Sequence, residues 1–191
     1  MKKSILICAV IVIVAVSLVW TQEPAKKKKA PLSPPAETSV TFGDKTLAIK
    51  YSAPSVRGRK MFGEGGRISQ DPTYPVWRAG ANSATTLHTD ADLNIKGLVV
   101  PKGDYTLYVQ VEPTPWQLIV NKQLKDPNRD RPVWGLTYIK EQDLGRVPMD
   151  MSKPPEPIET YKMTLTSTGA NSGKLQLEFE NFIASVPFKV K

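Results

Sequence analysis

Strict alternation of apolar and polar side chains is the feature that most restricts the fold of this chain. In "KLQLEFE", 174–180, leucine and phenylalanine face one way while lysine, glutamine and glutamate face the other, which is typical of a strand with one buried and one wet face. "DYTLYVQVE", 104–112, repeats the pattern. Further predicted strands are "KTLAIKY", 45–51, "WQLIVN", 116–121, "IETYKMTLT", 158–166, and "FIASVPFKV", 182–190.

Turn-forming residues separate these predicted strands. Gly43-Asp44, Gly103-Asp104 and Asn171-Ser172-Gly173 each lie at a junction, and the 17 prolines argue against long helices. Many short strands with regular turns and no helical crossovers predict an all-β fold, an antiparallel β-sandwich of jelly-roll or immunoglobulin-like kind. We assign this single domain to residues 38–191, since a chain of 191 residues suits one sizeable core.

Residues 1–22 have the layout of an export leader. Two lysines precede the apolar run Ile5–Trp20, whose 16 residues are slightly fewer than the roughly 20 of a membrane-spanning helix. The best small-x-small match places cleavage before Gln22. However, Lys26–Lys29 follow the run closely, and positive charge favours the cytoplasmic side of a membrane. A cleaved signal peptide and an uncleaved anchor helix therefore both remain open.

The segment 23–37, "EPAKKKKAPLSPPAE", is predicted to be an extended, solvated tether. Its lysines and those of the leader supply much of the net charge of +8, and from Ala30 onward there are 20 basic and 17 acidic residues. The folded part thus lacks the excess of basic residues that nucleic-acid binding needs. We predict no nucleic-acid partner, and membrane contact only through the leader.

Cysteine and histidine content narrows the chemistry further. The one cysteine, Cys8, lies in the leader, so the domain has no disulfide, thiolate cluster or thiol nucleophile. His88 is the only histidine, which excludes a multi-histidine metal site. The sequence predicts no metal and no cofactor.

Residues 51–85 interrupt the strand pattern. The stretch is rich in glycine, proline and arginine, and it predicts a long ordered excursion between strands. Such excursions are commonly functional or held by specific side chains. Arginine concentrates here, and its planar fork suits carboxylate or phosphate groups. If the domain binds a ligand, we predict contacts from Arg59, Trp77, Arg78, Asn82 and His88.

Each of these residues also has a purely structural interpretation. Trp77 would plug the end of the sandwich, and Arg78 would pin the loop through carbonyl or carboxylate groups. Gly80 to Asn82 would form a tight turn, with glycine giving backbone freedom and asparagine tolerating left-handed geometry. His88 would lie solvated on a strand, facing away from Leu87.

Five separated blocks, in the same order, carry a family resemblance: "YSAPSVRGRKMFG", "VWRAGANSATTLHTD", "VPKGDYTLY", "WQLIVNKQ" and "DLGRVPM". Over roughly residues 38–190 the chain resembles the bacterial family catalogued as domain of unknown function 2911. The resemblance implies a secretion leader ahead of a mostly β domain, and it implies no activity. The family element usually has threonine and glutamate where this chain has Ala79 and Ser83, and its link before "VWR" is usually shorter and less polar than 64–75.

The sequence favours an exported or membrane-tethered domain of the periplasm or cell envelope. We predict a non-catalytic binding or structural module for a polar or anionic small molecule or a glycan, with no catalytic residue. The alternative is a hydrolase that uses His88 with a nearby carboxylate, Asp90 or Asp92. A sheet that only binds a protein partner is a third class. No sequence feature indicates an oligomeric state.

Overall fold

The computed structural model describes residues 31–191. The predicted leader helix and most of the predicted tether lie outside this range. Within it the secondary structure consists of strands and two short 3-10 turns, Ile68–Gln70 and Lys140–Gln142, with no α-helix. The all-β prediction is confirmed for this part of the chain.

Thirteen strands form two sheets in which every pairing is antiparallel. In chain order they are β1 (Pro35–Phe42), β2 (Lys45–Ser52), β3 (Val76–Trp77), β4 (Thr85–Thr89), β5 (Leu93–Ile95), β6 (Leu98–Val100), β7 (Gly103–Gln110), β8 (Gln117–Asn121), β9 (Asp143–Pro148), β10 (Asp150–Ser152), β11 (Ile158–Gly169), β12 (Ser172–Glu180) and β13 (Phe182–Val190). The seven-stranded sheet has the order β1-β2-β4-β7-β8-β9, with β3 also on β7. The six-stranded sheet has the order β11-β12-β13-β5-β6, with β10 also on β13.

All six strands predicted from alternation are present. On β12, Leu175, Leu177 and Phe179 are buried, as the pattern predicts. β1 begins at Pro35, so the last three residues of the predicted tether pair with β2. The three-residue strands β5, β6 and β10 are too short to show a period and were not predicted.

One apolar core lies between the two sheets. Leu47, Ile49 and Leu107 from the seven-stranded sheet and Leu177 and Val186 from the six-stranded sheet are at most 1% exposed. Burial of each such side chain stabilises the fold by about 1.5–3 kcal/mol. This shared core explains why alternation extends along strands of both sheets.

The block "VWRAGANSAT" interrupts one strand position. β3 and β4 lie along the same edge of β7, with Trp77 opposite Val109 and Thr85 opposite Leu107. On β7 a single residue, Tyr108, lies between Leu107 and Val109. On the opposite strand the seven residues 78–84 lie between Trp77 and Thr85. The intervening residues therefore leave the sheet as a bulge, which we call the 78–84 bulge.

The excursion after β2 returns its apolar residues to the core. The Phe62 ring lies 5.5 Å from the Trp77 ring and 5.9 Å from the Phe179 ring, measured between centroids. Phe62 thereby bridges the two sheets, and Met61 and Ile68 are buried beside it. These apolar contacts make the long irregular segment part of the packed domain.

A second irregular segment, 122–142, covers the outer face of the seven-stranded sheet. Val133 packs there in a small apolar cluster with Tyr108 and Ile119. Asn121 donates from Nδ2 to the carbonyl of Ile139 at 3.0 Å. This packing brings residues 134–136 against the 78–84 bulge.

Candidate functional site

Four irregular parts of the chain enclose a cavity of about 350 Å³. They are the end of the predicted tether, the excursion after β2, the 78–84 bulge and residues 134–136. The polar and aromatic side chains that line the cavity belong to Ser33, Arg59, Arg67, Asp71, Trp77, Arg78, Asn82 and Trp134. Four of the five predicted ligand contacts, Arg59, Trp77, Arg78 and Asn82, thus share one cavity.

Side chains of the residues on either side of the 78–84 bulge donate hydrogen bonds to its carbonyl groups. Trp77 donates from Nε1 to the carbonyl of Gly80 at 3.0 Å, and Thr85 donates from Oγ1 to the carbonyl of Ala79 at 2.8 Å. Ala79 and Asn82 adopt the left-handed conformation, with φ of +52° and +58°. The expectation for asparagine is therefore confirmed.

Gly80 allows close packing, a role that the sequence did not predict for this glycine. Its φ lies outside the left-handed region. A Cβ at this position would lie 2.9 Å from the carbonyl oxygen of Ser52 and 3.2 Å from Thr85 Oγ1. The bulge therefore needs glycine here because the backbone passes directly against the end of β2.

Arg78 hydrogen-bonds to three segments that line the cavity: the bulge, the loop at Trp134 and the excursion at Asp71. Its Nη1 donates to the carbonyl of Asn82 at 2.9 Å and to that of Trp134 at 3.1 Å. Its Nη2 donates to Asp71 Oδ2 at 3.2 Å, and the two side chains are only 10% and 13% exposed. Among residues 31–191 its buried Nε has no hydrogen-bond partner. This arginine pins the loops, as its structural interpretation predicts.

Arg59 and Arg67 line the same cavity with fewer protein contacts. Arg59 donates to the carbonyls of Val56 and Ser55 at 3.0 and 2.7 Å, and its Nη1 has no acceptor in the described part of the chain. Arg67 lies 3.8 Å from Asp71 and its side chain is 51% exposed. Three guanidinium groups therefore face one carboxylate, which leaves two positive charges uncompensated. Such a cleft attracts anions.

Trp77, at the end of β3, and Asn82, within the bulge, both line the cavity. Trp77 is 2% exposed and packs edge-on against Tyr161, at 4.9 Å between ring centroids. Asn82 is exposed and donates from Nδ2 to the carbonyl of Ser33 at 3.3 Å. Trp77 therefore gives an apolar wall, and Asn82 connects the bulge to the end of the tether.

His88 lies outside this cavity, on the outer face of β4. Its Nδ1 is 2.8 Å from Asp104 Oδ1 and its Nε2 is 3.1 Å from Asp90 Oδ1, and half of the side chain is exposed. The hydrogen bonds with Asp104 and then Asp90 raise the pKa of His88. The amide of Thr46, and then His88, lower the pKa of Asp90.

In residues 31–191 the imidazole of His88 hydrogen-bonds to carboxylates and to no hydroxyl group. Thr85 lies on the buried face of β4, and its hydroxyl donates to Ala79. Within residues 31–191 neither Thr85 nor Ser83 hydrogen-bonds to the imidazole, and Ser83 is exposed in the bulge. A hydrolase that uses His88 would therefore have to activate a water molecule, because the Thr85 hydroxyl donates elsewhere and Ser83 makes no contact with the imidazole.

The described residues contain neither a cluster of metal ligands nor a membrane-spanning helix. In residues 31–191 no three or more histidine, cysteine or acidic side chains are arranged to hold a metal ion. The same residues contain no helix that is long and apolar enough to cross a membrane.

Comparison with known proteins identifies the family. The family described as "Protein of unknown function (DUF2911)" matches residues 33–188. This chain belongs to the DUF2911 family. The resemblance noted in the sequence is thereby confirmed, and the match includes the excursion, the 78–84 bulge and Ser33. No curated protein matches the chain, and no solved structure does.

Four of the eight polar and aromatic lining residues of this DUF2911 domain were not predicted as site residues. Arg67 and Asp71 come from the polar segment 64–75, whose spacing of four residues between opposite charges was the available signal. Trp134 comes from a loop 56 residues after Arg78 in the sequence, and Ser33 from the predicted tether. Neither has a sequence feature that connects it to the bulge.

Proposed function

We propose that this protein is a non-catalytic binding module of the cell envelope, and that its cavity holds a polar or anionic small molecule or a glycan. The observation that carries this proposal is the charge of the cavity, where Arg59, Arg67 and Arg78 face a single carboxylate, Asp71. The volume of about 350 Å³ lies within the range of about 300–1,000 Å³ that small-molecule sites occupy.

The three arginines have different roles in this proposal. Arg78 is committed to Asp71 and to two carbonyls, so it holds the walls. Arg59 and Arg67 keep N–H groups for a ligand carboxylate or phosphate, which a guanidinium binds with a planar fork. Trp134 is 39% exposed and has the Arg131 guanidinium 5.6 Å from its ring centroid, so only the part of the ring that Arg131 leaves open can contact the apolar side of a ligand such as a sugar ring.

The location and the sandwich type belong to the same proposal. The charged start and apolar run of the leader support export, followed either by cleavage before Gln22 or by retention as an anchor. Two antiparallel sheets that share one core support a β-sandwich of jelly-roll or immunoglobulin-like kind. A hydrolase centred on His88 has no comparable support, because His88 does not line the cavity.

Calorimetric titration of the purified full-length protein with inorganic phosphate tests this function, with chloride at matched ionic strength as the competitor. We expect Arg59→Ala and Arg67→Ala each to weaken phosphate binding about tenfold, because each removes a charge-assisted hydrogen bond. Arg129→Ala is the matched control, since Arg129 is exposed and does not line the cavity. We expect it to bind phosphate like the wild type.

Absence of phosphate binding by the wild type would overturn the proposal, as would full affinity in both cavity variants. Arg78→Ala is less informative on its own, because it also affects stability. It leaves the nearly buried carboxylate of Asp71 with only Arg67, at 3.8 Å, as a partner. We expect that change to destabilise the fold by about 3 kcal/mol. An Arg78→Ala protein that folds normally and keeps full affinity for phosphate would also contradict the proposal.

A further inference from the structure

The end of the predicted tether is bound to the domain through three successive carbonyl groups. The carbonyl of Leu32 accepts a hydrogen bond from Arg57 Nη2 at 2.8 Å. That of Ser33 accepts one from Asn82 Nδ2 at 3.3 Å, and that of Pro34 accepts one from the amide of Ala53 at 2.9 Å. All three donors belong to the excursion or the 78–84 bulge, the two segments that also form the cavity.

The composition of this segment suits such docking. Pro31, Pro34 and Pro35 have no amide hydrogen, so residues 31–35 mainly offer acceptors. Proline also restricts the undocked chain to extended conformations, which lowers the entropy that docking removes. A Pro-rich tether can therefore bind through its carbonyls alone.

The docked segment also contributes to the cavity. Ser33 and Asn82 both line it, so the contact between them forms part of the wall. Arg57 holds the segment from outside the cavity, two residues before Arg59 in the sequence. The backbone amide of Arg57 donates to Glu159 Oε1 at 2.9 Å, which anchors this turn to β11.

We propose that the docked segment 32–34 is part of the anion site, and that the ligand group is a dianion such as a phosphate monoester that binds when the segment is docked. This inference rests on the proposed function. Two uncompensated positive charges in the cavity match a dianion. Protein atoms on the Ser33 side of the cavity take the place of water, and the attraction between the arginines and this group is stronger in a lower local dielectric. Because linkage is reciprocal, the dianion also stabilises the docked segment.

Two variants loosen the segment without altering Arg59 or Arg67. Arg57→Ala removes the contact to Leu32, and we expect it to weaken phosphate binding about tenfold. Pro34→Gly increases the freedom of the undocked chain, and we expect a loss of about threefold. Arg129→Ala is again the control, with unchanged affinity.

Hydrogen exchange of the Ala53 amide measures docking directly, because this amide donates to Pro34. In the full-length protein we expect saturating phosphate to slow its exchange about tenfold. The amide of Val56 is the internal control, because it donates to the backbone carbonyl of Glu159 at 2.8 Å. We expect phosphate to leave its exchange rate unchanged.

The outcomes separate this inference from the proposed function. Phosphate binding with unchanged Ala53 exchange, and with full affinity in Arg57→Ala and Pro34→Gly, would overturn the inference and leave the proposed function standing. Absence of phosphate binding by the wild type would overturn both. Equal affinity for phosphate and for a monoanion such as formate would overturn the assignment of a dianion.

Discussion

Arg78 and Arg59 line the same cavity but make different contacts with the rest of the protein. Arg78 is nearly buried and donates to a carboxylate and two carbonyls, so its contacts are structural. Arg59 is exposed and donates only to carbonyls of its own turn. The difference arises from position, since Arg78 begins the bulge between two strand segments and Arg59 lies in an exposed turn. The number of protein acceptors distinguishes the scaffold residue from the candidate ligand contact.

His88 predicts a pH dependence at the same scale. Because hydrogen bonds with Asp104 and Asp90 raise its pKa in the folded state, the protonated imidazole stabilises the fold. This stabilisation is fully present below the unfolded pKa of about 6.5 and is lost as the pH rises through the folded pKa. We expect the excess stability of the wild type over His88→Gln to decrease across that interval.

Chemical denaturation at several pH values measures this difference in the free energy of unfolding. Nuclear magnetic resonance titration gives the pKa directly, since His88 is the only histidine. Asp104→Asn should lower the measured pKa relative to the wild type. A wild-type pKa at or below the ordinary value would contradict the geometry of the three side chains.

At the scale of strands, the absence of a side chain at Gly173 of β12 leaves space for the Phe188 ring of β13. Gly173 of β12 pairs with Phe188 of β13, and a Cβ on Gly173 would lie 2.3 Å from the Phe188 ring. The ring also packs edge-on against Phe42 at 6.1 Å, so it has little freedom to move away. The contact between Phe42 and Phe188 connects the two sheets near the β1–β2 turn.

Gly173→Ala should therefore destabilise the domain by about 1–3 kcal/mol, because the added methyl overpacks this contact. Gly169→Ala on β11 is the matched control, since its Cβ would have only Ser172 within 4 Å, at 3.8 Å or more. We expect that change to stay within about 0.5 kcal/mol. Urea denaturation of both variants gives the comparison, and equal effects would contradict the packing argument.

For the whole molecule, one core predicts one unfolding transition. Side chains from both sheets, with Phe62 of the excursion, form a continuous apolar cluster around Trp77. Removal of any part exposes its neighbours, so we expect far-ultraviolet circular dichroism and tryptophan fluorescence to report the same midpoint.

Trp77→Ala should shift both midpoints together and destabilise the fold by about 3–5 kcal/mol. Trp134→Ala is the control, since Trp134 is 39% exposed at the cavity rim and its loss should have little effect on either midpoint. Separate transitions for the two probes would show that the sheets unfold independently.

Local information in the sequence determined the class of fold. Alternation reports the environment of each strand, so β2, β7, β8 and the hairpin strands β11 to β13 were predicted close to their observed bounds. Turn-forming residues indicated where the hairpins lie. The single cysteine and the single histidine limited the kinds of site that the domain can form. The concentration of arginine in 51–85 pointed to the segment that lines the cavity.

Only the tertiary structure decided which of these residues meet. Ser33, Arg67 and Trp134 line one cavity although they are far apart in the chain, because the interrupted strand, the excursion and segment 122–142 pack together. Sheet pairing likewise placed His88 on the outer face, away from Arg78. Alternation records whether a side chain is buried but carries no information about its distant neighbours, and those neighbours define the site.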